Sequence, residues 1–219
     1  MSNLQNSFNF LVDLRLNNDR IWFNNNKDYY LGAFRAFEEF INEMIPVIKE
    51  FDPEIEVTSA KECLFRIYKD VRFSANKDPY KTNFGAHIVK GGKKSPFAGY
   101  YIHFEPDNSF IGGGIYMPQP DILLKLRTYI MNHGEEFLSI IDSEIFKRAF
   151  GTLMDEKLRT APRGFPKDHP HIGLTYYKSY AVGHNISNEM WFESDLIGKF
   201  AEIFKIQNGF NSFLNNALK

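Results

Sequence analysis

The chain has 219 residues, of which 43% are hydrophobic and 24% are charged, and this composition is typical of a globular protein rather than a disordered one. Its net charge of −1 provides no overall field that would attract nucleic acid or a membrane, so neither is expected as a partner. The single cysteine, Cys63, excludes a disulfide framework and a cysteine-based zinc site. No long apolar run and no basic-then-apolar leader is present, so we expect a cytoplasmic protein.

The first fifty residues have the periodicity of helices. Apolar residues recur at steps of three and four over residues 28–50, which predicts a long amphipathic helix that Pro46 kinks. A shorter helix is predicted over residues 8–16. Aromatic residues make up 16% of the chain, and we expect most of these rings to lie in the core.

The middle of the chain changes to the alternation of strands. Phe65 and Ile67 alternate with Arg66 and Tyr68, which predicts a first strand. Further strands are predicted over residues 84–90, 98–105 and 109–117, the last two as a hairpin across the Pro106-Asp107-Asn108 turn.

The last part of the chain is predicted to be mostly helical. Helices are expected over residues 119–132 and 135–150, and over residues 196–218 with a break near Gly209, with one more strand over residues 176–183. Helices, then strands, then helices predict an α+β fold, in which an antiparallel sheet of about four to six strands packs with N-terminal and C-terminal helices. No repeat or linker divides the chain, so a single domain over residues 1–219 is predicted.

Positive charge is concentrated in one segment. Residues 61–94 contain nine basic and three acidic residues, a net charge of +6, interleaved with aromatic residues. Basic and aromatic side chains together suit phosphate or carboxylate groups. The lysines of the Gly-rich tip (Lys90, Lys93 and Lys94) are interpreted as a solvated turn. Arg66, Arg72, Lys77 and Lys81 are left open between a solvated surface and a dedicated partner, either a ligand or an internal carboxylate such as Asp70.

The predicted hairpin carries a polar face. Tyr101, His103 and Glu105 alternate with apolar residues, and His103 with Glu105 is a candidate acid–base pair. The run Gly112-Gly113-Gly114 in the next strand is typical of a close backbone approach, and we expect it to leave a shallow floor beside the polar face. Plain solvent exposure of that face is the alternative.

Common enzyme signatures are absent from the sequence. There is no nucleophile elbow, phosphate-binding loop or dinucleotide-binding glycine motif, so no cofactor is predicted. Cys63 adjoins an apolar run and is interpreted as a buried hydrophobe. His169 and His171, with His103 and Glu105, contain the right ligand types for a metal, but their spacing is not diagnostic and no metal site is predicted.

Several runs resemble one family of proteins. They are FRIYKDVRFS (residues 65–74), KDPYKT (77–82), GYYIHFEP (99–106), FIGGGIYMP (110–118) and PRGF (162–165). Over nearly its full length the chain is similar to the bacterial and fungal conserved hypothetical proteins known as domain of unknown function 2461. The resemblance implies no activity, but its motif positions include Arg20, Asp70 and Lys178 together with the basic and polar residues singled out above.

The leading hypothesis is that a polar sheet face and the following basic loop bind a small anionic, phosphate-bearing ligand. A phosphoester hydrolase or transferase, assisted by a metal, is one alternative, and a protein-interaction module with an exposed aromatic patch is another. Whether the protein is an enzyme stays open, and no pattern indicates an oligomeric state. The predicted acid–base pair is His103 and Glu105, and the predicted ligand-binding residues are Arg66, Tyr68, Asp70, Arg72, Lys77, Tyr80, Lys81, Arg163 and Lys178.

Overall fold

A computed structural model describes residues 4–70, 72, 76–154 and 156–219. The fold is α+β, as predicted. None of the helices in these residues is long and apolar enough to cross a membrane. The helices are α1 (Leu4–Leu16), α2 (Arg20–Asn25), α3 (Lys27–Phe51), α4 (Ala60–Cys63), α5 (Pro120–Asn132), α6 (Gly134–Ile141), α7 (Glu144–Phe150) and α8 (Leu196–Asn216), with short 3-10 helices at Ile172–Tyr176 and Glu189–Phe192.

The described strands form one antiparallel sheet in the order β1-β2-β3-β4. They are β1 (Phe84–Ile88), β2 (Gly99–Phe104), β3 (Ser109–Ile115) and β4 (Tyr180–Ile186). The predicted alternation in β2 is confirmed, because Ile102 and Phe104 are fully buried while Tyr101 and His103 are partly exposed. Successive side chains of a strand point to opposite faces, so Tyr101 and His103 share the polar face.

The strand predicted around Phe65 to Tyr68 is wrong. Residues 64–69, all of them described, form no continuous strand and meet residues 79–86 through two isolated antiparallel bridges, Leu64–Ala86 and Tyr68–Tyr80. From one bridge to the next, the chain advances four residues from Leu64 to Tyr68 but six residues from Tyr80 to Ala86. The two segments therefore cannot form a regular ladder of hydrogen bonds. We name residues 64–69 and 79–82 the basic arm.

Two helix predictions also need correction. The helix expected over residues 135–150 is divided into α6 and α7, and Ser143 caps α7 by accepting a hydrogen bond from Phe146 N at 3.4 Å. The break expected near Gly209 is absent, since α8 runs through that residue. The long helix predicted over residues 28–50 is confirmed as α3, which continues through Pro46.

The described residues group into two compact units. The first contains Met1–Lys93, Tyr101–Ile111 and Asn185–Ala201, and the second contains Lys94–Tyr100, Gly112–His184 and Glu202–Lys219. The single-domain prediction therefore stays a prediction.

Each unit has an aromatic core of its own. In the first, the ring of Phe37 lies 5.7 Å from that of Phe84 and 6.0 Å from that of Phe104. In the second, Phe137 lies 5.0 Å from Phe213 and 6.0 Å from Phe210. The expectation that most aromatic rings lie in the core is met only in part, because half of the described aromatic residues are buried and most of the others are partly buried.

Candidate functional site

The basic arm is anchored firmly within the first unit. Its two sides are joined by hydrogen bonds from Lys81 N to Ile67 O (2.8 Å) and from Lys69 N to Pro79 O (3.0 Å). The Asn18 side chain both accepts from Tyr80 N and donates to Tyr80 O, each at 3.1 Å. These bonds hold the tip of the arm against the N-terminal helices.

A polar network joins the arm to β2 through Glu105. Glu105 Oε2 accepts from His103 Nε2 at 2.9 Å and from Asn108 Nδ2 at 2.9 Å, and Glu105 Oε1 accepts from Thr82 Oγ1. Burial alone would raise the pKa of Glu105, but these hydrogen bonds outweigh it and lower the pKa to about 2. Glu105 is therefore ionised at neutral pH and acts as a hydrogen-bond acceptor.

The ionised Glu105 fixes the orientation of His103. Because a carboxylate can only accept, His103 Nε2 carries a hydrogen, and His103 Nδ1 faces Tyr101 Oη at 3.2 Å and Asn83 Nδ2 at 3.4 Å. The imidazole also stacks on the ring of Phe110, with centroids 4.8 Å apart. Every polar atom of the pair thus has a partner inside the protein.

The polar face of β2 is covered rather than open. The side chains of His103 and Glu105 are 15% and 17% exposed. Tyr101 packs edge-on against Phe65, and its burial and the charge of Glu105 raise its pKa to about 12. In this arrangement the network fixes the arm to the sheet, and Tyr101 stays a neutral phenol.

The structure therefore brings the basic segment and the His103 strand together. Thr82 and Asn83, which bond to Glu105 and His103, directly follow Lys81 in the chain. Sequence reasoning did not identify Thr82 or Asn83, because each contacts a residue about twenty positions away and belongs to no local pattern.

Among the described residues, no carboxylate pairs with any of the three cations of the arm, Arg66, Lys69 and Lys81. Arg66 is exposed and forms neither a hydrogen bond nor an ion pair with any residue in the described part of the chain. Lys81 is partly buried, and its Nζ lies 5.6 Å from the centre of the Phe65 ring. Burial, and then the charge of Arg66, lower the pKa of Lys81. The two positive charges are thus close enough to disfavour each other.

Arg72 is engaged differently. Its guanidinium donates from Nε to Asp70 Oδ1 at 3.0 Å and from Nη2 to Asp70 Oδ2 at 2.6 Å. The hydrogen bonds from Arg72 lower the pKa of Asp70 to about 2. An internal carboxylate, one of the two partners considered from the sequence, is therefore bound to this arginine.

The remaining predicted residues are distributed over both units. Tyr68 and Tyr80 form a cross-strand ring pair with centroids 5.5 Å apart, and Lys77 is exposed near the tip of the arm. Arg163 and Lys178 are exposed and belong to the second unit. Val71, Phe73 and Ser74, which carry part of the family resemblance, lie outside the described residues.

The floor expected at the three glycines is not there. A Cβ atom on Gly113 would lie 1.9 Å from Gly99 O, and one on Gly114 would lie 2.3 Å from Tyr180 O. The space over these glycines is filled by the backbone of neighbouring strands. The close backbone approach is confirmed, and the inference that it makes room for a ligand is wrong.

The histidines of the second unit form no metal cluster with one another. His171 Nε2 lies 3.4 Å from Glu135 Oε1, and His169 Nδ1 accepts from His171 N at 3.2 Å. Among the residues described, no group of three or more His, Cys, Asp or Glu side chains is arranged to hold a metal ion. Cys63 is fully buried, and burial followed by the charge of Glu62 raises its pKa to about 12.

Comparison with known proteins identifies the family. Residues 6–213 match the model of the conserved hypothetical protein family DUF2461, and the chain belongs to that family. Neither the curated proteins nor the solved structures contain a match to the chain.

Proposed function

We propose that the protein binds a small anionic, phosphate-bearing ligand at the basic arm, through Arg66 and Lys81. The observation that carries this proposal is the pair of cations without a carboxylate partner among the described residues. Arg66 lowers the pKa of a partly buried Lys81, so the free protein keeps two mutually repelling charges close together. A bound anion would relieve that repulsion.

The geometry of the two side chains suits a phosphate group. An arginine offers a planar fork of donors that matches two phosphate oxygens, and a lysine adds a compact charge. Lys81 is partly withdrawn from water over the Phe65 ring, and electrostatic attraction is stronger where water is reduced.

The network of Glu105 and His103 supports the proposal as positioning machinery. Its bonds to Thr82 and Asn83 fix the segment that carries Lys81, so the cation is held in place before a ligand arrives. Acid–base catalysis by His103 and Glu105 stays a hypothesis, since their polar atoms are all engaged in this state.

The experiment is calorimetric titration with inorganic pyrophosphate at low ionic strength. Arg66→Gln and Lys81→Met each remove one charge, and Met preserves the apolar stem over Phe65. Each is expected to weaken pyrophosphate binding about 10-fold or more, because each loses a charge-assisted contact. Added salt is expected to weaken the wild-type affinity as well.

Two matched variants provide the control. Arg35→Gln on α3 and Lys125→Met on α5 remove the same charges from exposed positions outside the arm, and both are expected to bind pyrophosphate as the wild type does. The proposal is wrong if pyrophosphate does not bind at millimolar concentration. It is equally wrong if the control variants weaken binding as much as the arm variants do.

A further inference from the structure

A groove lies between α2 and the basic arm within the first unit. Its volume is about 300 Å³, and it is lined by Arg20, Asn24, Tyr68, Lys69, Pro79 and Tyr80. Ligand pockets commonly span about 300–1,000 Å³. The groove is therefore large enough for one small ligand and too small for an extended one.

The wall of the groove is an aromatic platform that is already in place. Tyr68 is 51% exposed, and in the part of the chain that the structure describes only Tyr116 and Phe192 are comparably exposed aromatic residues. Behind it, the ring of Tyr80 stacks on the buried ring of Phe23, with centroids 3.9 Å apart and planes within 15°. Because the Tyr68 ring already packs against its neighbours, a planar ligand can stack on it with little further loss of side-chain entropy.

The charge of the groove is positive. Arg20 and Lys69 belong to the lining, which among the described residues contains no carboxylate. The neighbouring Asp19 uses Oδ1 to accept from Ile21 N at 2.8 Å and from Trp22 N at 2.9 Å, while Asp70 is held by Arg72. The two acidic residues next to these cations in sequence therefore have other partners.

The residues of the proposed anion site adjoin the lining of the groove in the chain, since Arg66 precedes Tyr68 by two residues and Lys81 directly follows Tyr80. The Cα atoms of Arg66 and Tyr68 are therefore at most about 7 Å apart. A ligand that touches the Tyr68 ring can thus reach the guanidinium of Arg66 with a phosphate group. Asn24 adds one amide donor and one carbonyl acceptor to the lining.

We propose that the ligand is a nucleoside monophosphate, with its base stacked on Tyr68 beside Arg20 and Lys69 and its phosphate at the anion site of Arg66 and Lys81. This inference rests on the proposed function, since it names the class of anion that the arm binds. An aromatic face beside cations that have no carboxylate partner among the described residues suits a ligand that combines a planar ring with phosphate. The small volume favours a mononucleotide over a polymer.

The test compares AMP with ribose 5-phosphate by calorimetry, since the two differ only in the base. AMP is expected to bind about 10-fold more tightly, which is the scale of one base stacked on an aromatic ring. Tyr68→Leu is expected to abolish that difference and leave the affinity for ribose 5-phosphate unchanged, whereas Tyr68→Phe keeps the difference. Tyr116→Leu, on an exposed tyrosine of the second unit, serves as the control.

The outcomes separate this inference from the proposed function. If the wild type binds AMP and ribose 5-phosphate equally well, the proposal of a nucleotide ligand is wrong. It is also wrong if the preference for AMP remains in Tyr68→Leu. Neither outcome contradicts the proposed anion site. Failure of AMP, ribose 5-phosphate and pyrophosphate alike overturns both. An oligoadenylate that binds about 100-fold more tightly than AMP assigns the groove to a nucleic-acid strand and also overturns the mononucleotide.

Discussion

Replacing Glu105 by Gln tests whether this partly buried carboxylate fixes the basic arm to the sheet. Glu105 receives hydrogen bonds from His103, Thr82 and Asn108, and its pKa lies near 2 rather than at the ordinary value of 4.5. A folded-state pKa below the unfolded value means that the ionised form stabilises the fold. That stabilisation is complete above pH 5 and disappears as the pH falls towards 2.

The size of the effect follows from the shift in pKa. A difference of about 2.5 pH units corresponds to about 3 kcal/mol of unfolding free energy at pH 7. Glu105 is partly buried, so water screens part of the interaction and about 3 kcal/mol is an upper limit. At pH 3 the same linkage leaves about 1.5 kcal/mol, so the difference between wild type and Glu105→Gln is expected to shrink by about half.

The assay is urea unfolding followed by tryptophan fluorescence at pH 7 and pH 3. Trp22 and the buried Trp191 both belong to the first unit and report on its unfolding. Glu39→Gln, which removes an exposed carboxylate from α3, controls for the general loss of negative charge. A free-energy difference that is the same at both pH values would refute the reasoning, because a loss of packing alone does not depend on pH.

Three further predictions concern other parts of the chain. Gly113→Ala is expected to lower the melting temperature strongly, because its Cβ would collide with Gly99 O. Gly209→Ala, with open space around it in α8, is expected to raise the melting temperature slightly in the same thermal scan. Cys63 is expected to react with a thiol reagent only after urea unfolds the protein, since it is fully buried with a pKa near 12, and rapid reaction of the folded protein would contradict this. Asp70→Asn removes a negative charge beside the arm and is expected to tighten pyrophosphate binding severalfold in calorimetry, and unchanged affinity would contradict this.

The helices show what local periodicity can predict and where it fails. The apolar stripe of α3 was sufficient to predict its extent within two residues. Pro46 lacks a backbone donor and Gly209 disfavours a helix, yet each is a local cost that burial of neighbours such as Ile48 and Phe210 offsets. A sequence pattern shows the cost and not the tertiary packing that compensates for it.

The basic arm shows the opposite case. Its polar and apolar residues alternate as they do in a strand, but no continuous strand forms. Alternation around Arg66 indicated a strand, but a strand needs a partner in constant register, and the bridges at Leu64 and Tyr68 are displaced by two residues relative to each other. Likewise, the bonds of Asn18 to Tyr80 span 62 residues and leave no trace in either local sequence. Such long-range contacts position the candidate site, and they can be identified only in the folded structure.

Part of the positive charge of the segment 61–94 is paired with acceptors inside the folded protein. Lys93 Nζ donates to Leu64 O at 2.5 Å and Lys61 O at 3.3 Å, so it caps the end of α4 instead of forming part of a solvated turn. Arg72 is bound by Asp70. A net charge of +6 therefore overstates the attraction for a ligand, because part of it is already satisfied inside the protein. The cations that matter for binding are those of the arm that have no acceptor among the described residues. Removal of Arg66 or Lys81 should therefore affect pyrophosphate binding more than removal of Lys93.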